Sequence, residues 1–382
     1  MQARYHSVDA LRGLIMILMA IDHASAIIAR QHSSEFWAGA MSSYTSPFPF
    51  LTRWVTHLCA PGFFLLMGAG IYWFAASRRE AGWTQAAILR RTAVRGLAIF
   101  LTAQFLESPL LFLQSTLKPA AVSLSRTSAP LPNDGTAVYW GLITLSGLGL
   151  VMIACAGLLP MRPWMWLVCS ALCVFATNSL LPASGQPGPL WQLILLAPGL
   201  SRHLIVVYPV IPWLAGAAAG MYFAHWWRTH PGEDRPRIWI AGAALLATGL
   251  ALRTFGGWGN IRPPRDSGWI EFLNNVKYPP SLVFWTMSLG IDLLLLALLT
   301  RLPERWKAEQ SPLIVFGQTP LFFYLAHFYL LTLCAFVFYR DAGSLEHAYL
   351  MWALVLVALS PACLRYRSFQ SAKPAQSLWR LF

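Results

Sequence analysis

Runs of about twenty apolar residues alternate with short polar segments along the whole chain. A helix needs about 20 apolar residues to cross a bilayer. The sequence therefore predicts an all-α, polytopic membrane protein with about ten transmembrane helices, formed by residues 1–382 as a single membrane domain. The predicted spans are residues 8–29, 54–76, 92–113, 138–159, 164–181, 204–226, 237–254, 281–300, 313–338 and 346–364.

The basic residues predict how this bundle is oriented. If the N-terminus is cytoplasmic, 18 of the 28 Lys and Arg lie on the cytoplasmic side, where membrane proteins concentrate them. Both termini are therefore predicted in the cytoplasm and loop 255–280 outside. The same bias explains the net charge of +13, so we predict no nucleic-acid partner. The six cysteines lie in apolar segments, which predicts neither a disulfide framework nor a metal site.

The first predicted span carries ionisable residues near both ends. Asp9 and Asp22 are separated by about 20 Å at 1.5 Å per residue. We interpret Asp9 and Arg12 as a helix-start acid and its partner. Asp22 and His23 lie within the predicted hydrocarbon layer, where an ionisable group is expensive unless it is paired or hydrated. They are therefore candidates for a functional site, with structural pairing as the alternative.

Arg53 and His57 mark the start of the second predicted span. They are four residues apart and share a helical face. An interfacial arginine that reaches back to water is the alternative for Arg53. Pro61 leaves the carbonyl of His57 without its usual helical partner, and such a gap is tolerated where a cavity or neighbouring protein satisfies it. We therefore predict that His57 faces inward.

Further polar residues accompany proline-rich span entries. Lys277 and Tyr278 directly precede two prolines, Tyr208 begins the segment YPVIPW, and His327 lies near the middle of the ninth span. Hydrogen-bonded packing is the alternative for His327. Two further acids, Glu107 and Asp292, lie inside predicted spans with no partner evident from the sequence. We predict that five of these residues converge on one cavity in the outer half of the membrane: Asp22, His23, Arg53, His57 and Lys277.

Several of these segments together resemble a known family. They are SVDALRG at 7–13, DH at 22–23, TRWVTHLCAP at 52–61, YPVIPW at 208–213, KYPPS at 277–281 and FGQTPLFFYLAH at 316–327. They are similar to the signature segments of a bacterial membrane family with a heparan-α-glucosaminide N-acetyltransferase catalytic domain, part of the transmembrane acyltransferase group.

The resemblance implies an acyltransferase in the bacterial cytoplasmic (inner) membrane. Cytoplasmic acetyl-CoA or another acyl-CoA would be the co-substrate, without a metal. A sugar or glycan hydroxyl or amine on the outer side would accept the acyl group. His32 is nearest to the catalytic histidine proposed for the animal enzymes, about two positions out of register, and His23 replaces an asparagine of the animal pattern. The sequence is also compatible with a homodimer.

These considerations assign roles to the candidate residues. His57 or His23 would be the general base, because imidazole takes up a proton near neutral pH. Asp22 would orient the imidazole. Arg53 or Lys277 would stabilise the oxyanion or orient the acceptor. The remaining candidates for substrate binding are Tyr278, Tyr208, His327 and His32.

The cytoplasmic loops supply candidates for binding coenzyme A. Arg78, Arg79, Arg90 and Arg91 could hold its phosphates, with simple positive loops as the alternative. Two other functions stay open. A transporter of a small anion, sugar or lipid precursor would use proline-broken spans around a polar site, and a non-catalytic scaffold would keep only the fold.

Overall fold

The computed structural model describes residues 5–31, 35–38, 43–44, 46–117, 140–182, 188–201, 204–230, 234–303, 306, 308, 310–374, 377 and 379. Most of this chain is helical. The helices are α1 (His6–Ile27), α2 (Pro47–Trp54), α3 (Cys59–Glu80), α4 (Gln85–Thr102), α5 (Ser108–Ser115), α6 (Thr144–Leu158), α7 (Pro163–Ser179), α8 (Leu190–Leu195), α9 (Val210–Thr229), α10 (Asp234–Phe255), α11 (Trp269–Leu273), α12 (Leu282–Leu299), α13 (Pro312–Gln318), α14 (Pro320–Phe338) and α15 (Leu345–Ser371). A 3₁₀ turn (Val55–Leu58) joins α2 to α3, and a π-helical turn (Ala103–Glu107) joins α4 to α5.

The helices confirm an all-α, multi-pass membrane protein. Seven helical segments in the described residues are long and apolar enough to cross a membrane. They are His6–Ile27, Pro47–Glu80, Gln85–Gln114, Arg237–Phe255, Leu282–Leu299, Pro320–Phe338 and Leu345–Ser371. Helices α6, α7 and α9 also overlap predicted spans without meeting the same criterion. The count of ten spans and the cytoplasmic location of the termini therefore stay predictions.

Helix α1 packs at the centre of the bundle, against α3, α12, α13, α14 and α15. Glycines bring two helix pairs into close contact. A Cβ atom on Gly13 would lie 1.8 Å from a backbone oxygen of α13, and one on Gly220 would lie 2.0 Å from a backbone oxygen of α3. Such contacts between small residues are typical of membrane helices. They fix α1 against α13 and α9 against α3.

A small sheet precedes α6 and α9. Strand β1 (Trp140–Leu142) pairs in parallel with β3 (Leu204–Val206), which pairs antiparallel with β2 (Gly199–Ser201). The start of the sixth predicted span is therefore wrong, because residues 204–206 form a strand and Pro209 precedes the helix. The backbone N–H of Tyr208 also donates to the carbonyl of Leu142 (3.1 Å). The sheet thus places Tyr208 beside the start of α6.

Arg253, at the end of α10, organises the long loop that leads to α12. Its side chain is 2% exposed. The guanidinium donates to the backbone carbonyls of Arg262, Glu271, Phe272 and Asn274 and to the side-chain oxygen of Asn260. These bonds satisfy carbonyls that the irregular loop would otherwise leave unpaired. The loop that carries Lys277 and Tyr278 is thereby held in one conformation.

Candidate functional site

A buried ion-pair network lies between the end of α1 and the start of α3. We call it the Arg53 cluster, consisting of Asp22, Glu35, Arg53, Thr56 and His57. Arg53 donates to Asp22 from Nη1 (2.6 Å) and to both oxygens of Glu35 from Nε (2.8 Å) and Nη2 (2.6 Å). The Arg53 and Glu35 side chains are 4% and 1% exposed. A bidentate pair at this depth holds both side chains in one geometry.

The backbone between α2 and α3 explains how these side chains converge. Arg53 lies in the last turn of α2, and Thr56 and His57 lie in the 3₁₀ turn that follows. The Thr56 hydroxyl is 2.9 Å from an Asp22 oxygen and 2.7 Å from the Arg53 carbonyl. Short 3₁₀ stretches inside longer helices often mark functional positions. The prediction that His57 faces inward is confirmed, since His57 is buried.

His57 belongs to a histidine–carboxylate pair. Its Nε2 is 3.2 Å from Glu35 Oε1, and its ring packs beside Phe284 at 5.3 Å between centroids. Asp22, which the sequence suggested as the orienting acid, bonds Arg53 and Thr56 instead. The carboxylate beside His57 is therefore Glu35. Sequence reasoning missed Glu35 although it considered the neighbouring His32, which lies outside the described residues.

The loop before α12 docks on the Arg53 cluster through Glu35. The backbone N–H groups of Lys277 and Tyr278 both donate to the Glu35 carbonyl (3.0 Å each). Lys277 is buried, with its ammonium 5.2 Å from the centroid of the Tyr278 ring. The structure thus brings Lys277 to the same side of the bundle as Arg53 and His57.

Charges are balanced within this region. Two carboxylates, Asp22 and Glu35, bond to Arg53, and the loop that carries a second cation, Lys277, docks beside them. Burial alone would raise the pKa of Glu35, but Arg53 and His57 together hold the pKa of that carboxyl well below its ordinary value. Burial raises the pKa of Tyr278 to about 12. Glu35 is therefore a carboxylate and Tyr278 a neutral phenol at neutral pH.

His23, which is half-buried, pairs with the buried His327. Its Nδ1 is 2.8 Å from Nε2 of His327, and the two rings stack at 8°. Nδ1 of His327 is 2.9 Å from the carbonyl of Phe323 and must donate to it. In neutral imidazoles His327 Nε2 is then the acceptor and His23 Nδ1 the donor. Adjacent helical residues point about 100° apart, which explains why Asp22 faces Arg53 while His23 faces His327.

A cavity of about 710 Å³ opens between α1, α3, α4, α6, α13, α14 and α15. We call it the arginine cavity. Three arginines line it, Arg12, Arg95 and Arg367, together with Gln318, Ser368, Gln370 and Ser371. Apolar side chains that include Met16, Phe63, Leu66 and Leu148 form much of its wall, and Thr144 and Tyr324 also face it. No carboxylate is among its lining residues in the described part of the chain.

The arginines proposed for coenzyme A have other surroundings. Arg78 stacks over Phe74 and Trp83, and Arg79 donates to Gln85 (3.0 Å). Arg91 donates to the carbonyl of Ser377 (3.2 Å), and Arg90 is exposed. None of these arginines is among the described residues that line the cavity. Their binding to coenzyme A stays a prediction.

The arginines that line the cavity come from three separate helices, α1, α4 and α15. Sequence reasoning missed Arg95 and Arg367. The predicted pairing of Arg12 with Asp9 is confirmed, since Arg12 Nη1 lies 3.1 Å from Asp9 Oδ1. Arg12 therefore pairs with an acid in the first turn of α1 and also lines the cavity. Along α1, Arg12 and Asp22 are separated by about 15 Å, which places the cationic end of the cavity and the Arg53 cluster at different depths.

Four other polar side chains of the bundle are hydrogen-bonded, and one buried acid has no hydrogen-bond partner among the described residues. The hydroxyls of Tyr208 and Tyr278 are 3.3 Å apart. The Tyr324 hydroxyl donates to Glu107, which also accepts from the backbone N–H of Leu145 (3.3 Å). Glu107 thus has partners that the sequence did not reveal. Both oxygens of the buried Asp292 lack a hydrogen-bond partner among the described residues.

Comparison with known proteins identifies a family. The family model described as heparan-alpha-glucosaminide N-acetyltransferase, catalytic, matches residues 4–254 of this chain of 382 residues. The match includes α1, the Arg53 cluster and Tyr208, whereas Lys277 and His327 lie beyond it. No curated protein matches the chain.

Proposed function

The chain belongs to the heparan-α-glucosaminide N-acetyltransferase catalytic family, and on this premise we propose that it transfers an acyl group across the bacterial inner membrane. Acetyl-CoA or another acyl-CoA would donate the group from the cytoplasm. A hydroxyl or amine of a sugar or glycan would accept it on the outer side. Family membership supports a transmembrane acetyltransferase in general, and the following contacts support the finer assignment.

The arginine cavity has the composition that a bound acyl-CoA requires. Arg12, Arg95 and Arg367 offer planar guanidinium donors, which bind phosphate oxygens well. The apolar wall suits the pantetheine arm and an acyl chain. A volume of about 710 Å³ lies within the usual range for small-molecule sites. The absence of a carboxylate from the described lining also favours a polyanionic ligand.

The Arg53 cluster has the composition that acceptor activation requires. Glu35 orients the His57 imidazole and stabilises the imidazolium that forms when His57 takes the acceptor's proton. Lys277 is the better candidate for stabilising the oxyanion, because Arg53 already donates to two carboxylates. Arg53 then acts as a positioning residue, and Tyr278 and Tyr208 remain candidates for acceptor contacts.

One observation carries this proposal. The His57–Glu35 pair and Lys277 share a buried region beside one end of α1, and the other end of α1 faces the cavity lined by arginines. An acyltransferase needs both features, a base for the acceptor and a cationic site for the donor. A scaffold that kept only the fold would need neither.

Acyl-CoA turnover in nanodiscs tests the proposal. Purified protein should release thiol from acetyl-CoA in the presence of a suitable amino sugar. Replacing Arg367 by Gln should raise KM for acetyl-CoA about tenfold with little change in kcat, because a charge-assisted hydrogen bond contributes about 1.5–3 kcal/mol. Arg301→Gln is the matched control and should leave KM unchanged, because Arg301 is exposed and is not among the residues that line the cavity. Substrate flux in liposomes without thiol release would contradict the proposal and favour the transporter.

A further inference from the structure

A chain of three hydrogen bonds joins two of the arginines that line the arginine cavity. Arg12 Nη1 donates to Asp9 Oδ1 (3.1 Å). Gln318 Nε2 donates to the other oxygen of the same carboxylate, Asp9 Oδ2 (3.0 Å). Arg367 Nη1 donates to Gln318 Oε1 (3.1 Å). Gln318 therefore lies between the acid that pairs with Arg12 and the guanidinium of Arg367, and it also lines the cavity.

The backbone places Gln318 at this position because a helix ends there. Gln318 is the last residue of α13, and α14 begins two residues later at Pro320. Close packing fixes this helix end against α1, since a Cβ atom on Gly317 would lie 1.9 Å from the carbonyl oxygen of Asp9. The Gly317 carbonyl, one of the last four of α13, accepts from Arg12 Nη1 (3.0 Å). The end of α13 thus holds Gln318 beside Asp9.

The two partners of Gln318 determine which end of its amide faces each of them. A guanidinium only donates hydrogen bonds, and an ionised carboxylate only accepts them. The amide oxygen must therefore face Arg367 and the NH₂ group must face Asp9, which is the orientation in the structure. A glutamate at this position would bring two carboxylates together, and an apolar side chain would break both bonds. A side chain of this length needs an amide to connect the two groups.

This arrangement prepares Arg367 for an anionic ligand. A long side chain loses conformational entropy when a ligand immobilises it, and a side chain that is already held in place loses less. A guanidinium has five N–H donors in a fixed fork, so it can bond Gln318 and phosphate oxygens at once. Asp9 is not among the described residues that line the cavity, so the carboxylate that anchors the chain does not face the ligand.

We infer that Gln318 is a positioning residue that holds the Arg367 guanidinium toward the phosphates of an acyl-CoA bound in the arginine cavity. This inference rests on the proposed function. Gln318 acts through Arg367, so its loss weakens binding of the phosphate-bearing part of the donor and does not slow the chemical step. Gln318 thereby helps the cavity to prefer acyl-CoA over an acyl thioester that has no phosphates.

Gln318→Met tests the inference, because methionine has a similar length but cannot link a donor to an acceptor. The variant should lower kcat/KM for acetyl-CoA about 3- to 10-fold through KM, with kcat nearly unchanged, since it weakens a charge-assisted hydrogen bond without removing the guanidinium. The acetyl thioester of N-acetylcysteamine has no phosphates, and its kcat/KM should stay at the wild-type value. The double variant Gln318→Met/Arg367→Gln should be scarcely worse than Arg367→Gln alone, because the two residues act as one unit.

Gln114→Met is the matched control. The Gln114 amide also joins two helices, since its Nε2 donates to the Thr332 hydroxyl (2.6 Å), but Gln114 lies outside the described lining of the cavity. This variant should leave kcat/KM unchanged for both thioesters.

Three results would overturn the inference while leaving the proposed function intact. The first is a wild-type kcat/KM for acetyl-CoA in Gln318→Met. The second is an equal loss with both thioesters, which would indicate a structural role. The third is additive losses in the double variant, which would indicate that Gln318 contacts the ligand directly. A wild type that uses the two thioesters equally well would contradict the cationic donor site, and would overturn the proposed function and the inference with it.

Discussion

Replacing Glu35 by Gln removes the carboxylate on which the Arg53 cluster is built. The side chains of Glu35 and Arg53 are 1% and 4% exposed, and they share two bonds of 2.6 and 2.8 Å. The amide keeps one acceptor oxygen, but its NH₂ group faces a guanidinium that can only donate. The region then changes from two carboxylates and two cations to one carboxylate and two cations.

Breaking a buried ion pair destabilises a protein by about 3–5 kcal/mol. We expect Glu35→Gln to lower the free energy of unfolding by roughly this amount, and to lower kcat because the His57 imidazole loses its orienting carboxylate. Unfolding by denaturant in detergent micelles measures the first effect, and thiol release from acetyl-CoA measures the second.

Glu80→Gln is the matched control. Glu80 pairs with Arg228, but its side chain is 55% exposed, and exposed pairs contribute about 0–1 kcal/mol. The variant should therefore unfold nearly as the wild type does. If Glu35→Gln were as stable as Glu80→Gln, the buried ion pair between Glu35 and Arg53 would not stabilise the fold as we expect.

Three further predictions concern the base, the acid sensitivity of the fold and the topology. His57→Ala should lower kcat about 10²–10⁴-fold while the purified protein still retains acyl-CoA in native mass spectrometry; full activity would exclude His57 as the base. The pKa of Glu35 is lowered in the folded protein, so its ionised form stabilises the fold above the ordinary carboxyl pKa of about 4.3. This stabilisation is lost as the pH falls from that value through the lower pKa of Glu35 in the folded state. Acid should therefore destabilise the wild type more than Glu35→Gln. Equal pH dependence of the two unfolding free energies would contradict this. A cysteine at Ser267 should react with an impermeant reagent outside intact cells, and reaction only after lysis would reverse the predicted topology.

The helices could be predicted from the sequence because run length and apolarity are local properties. The span predicted at 281–300 corresponds to α12 (Leu282–Leu299) within two residues. The span predicted at 346–364 is part of a longer helix, α15, which continues to Ser371 through a polar segment beyond the apolar run. Apolarity detects the part of a helix that fits the bilayer, and it does not detect a polar extension of the same helix.

The site could be predicted only in part, because its contacts join residues far apart in the chain. Arg53 and His57 can be predicted from their spacing on one segment. Glu35, in contrast, lies in a loop with no periodicity, and only its contact with Arg53 reveals its role. The partner of His23 lies 304 positions away in the chain, at His327. No local pattern encodes such pairs.

We propose that the acyl group crosses the membrane through this protein. Proteoliposomes with acetyl-CoA sealed inside and an impermeant amino sugar outside test it directly, with protein oriented by affinity capture so that the Arg53 cluster faces outward. Acetylated sugar is expected outside only when acetyl-CoA is inside, and His57→Ala should lose this product. Product that forms only when both substrates are on the same side would contradict it.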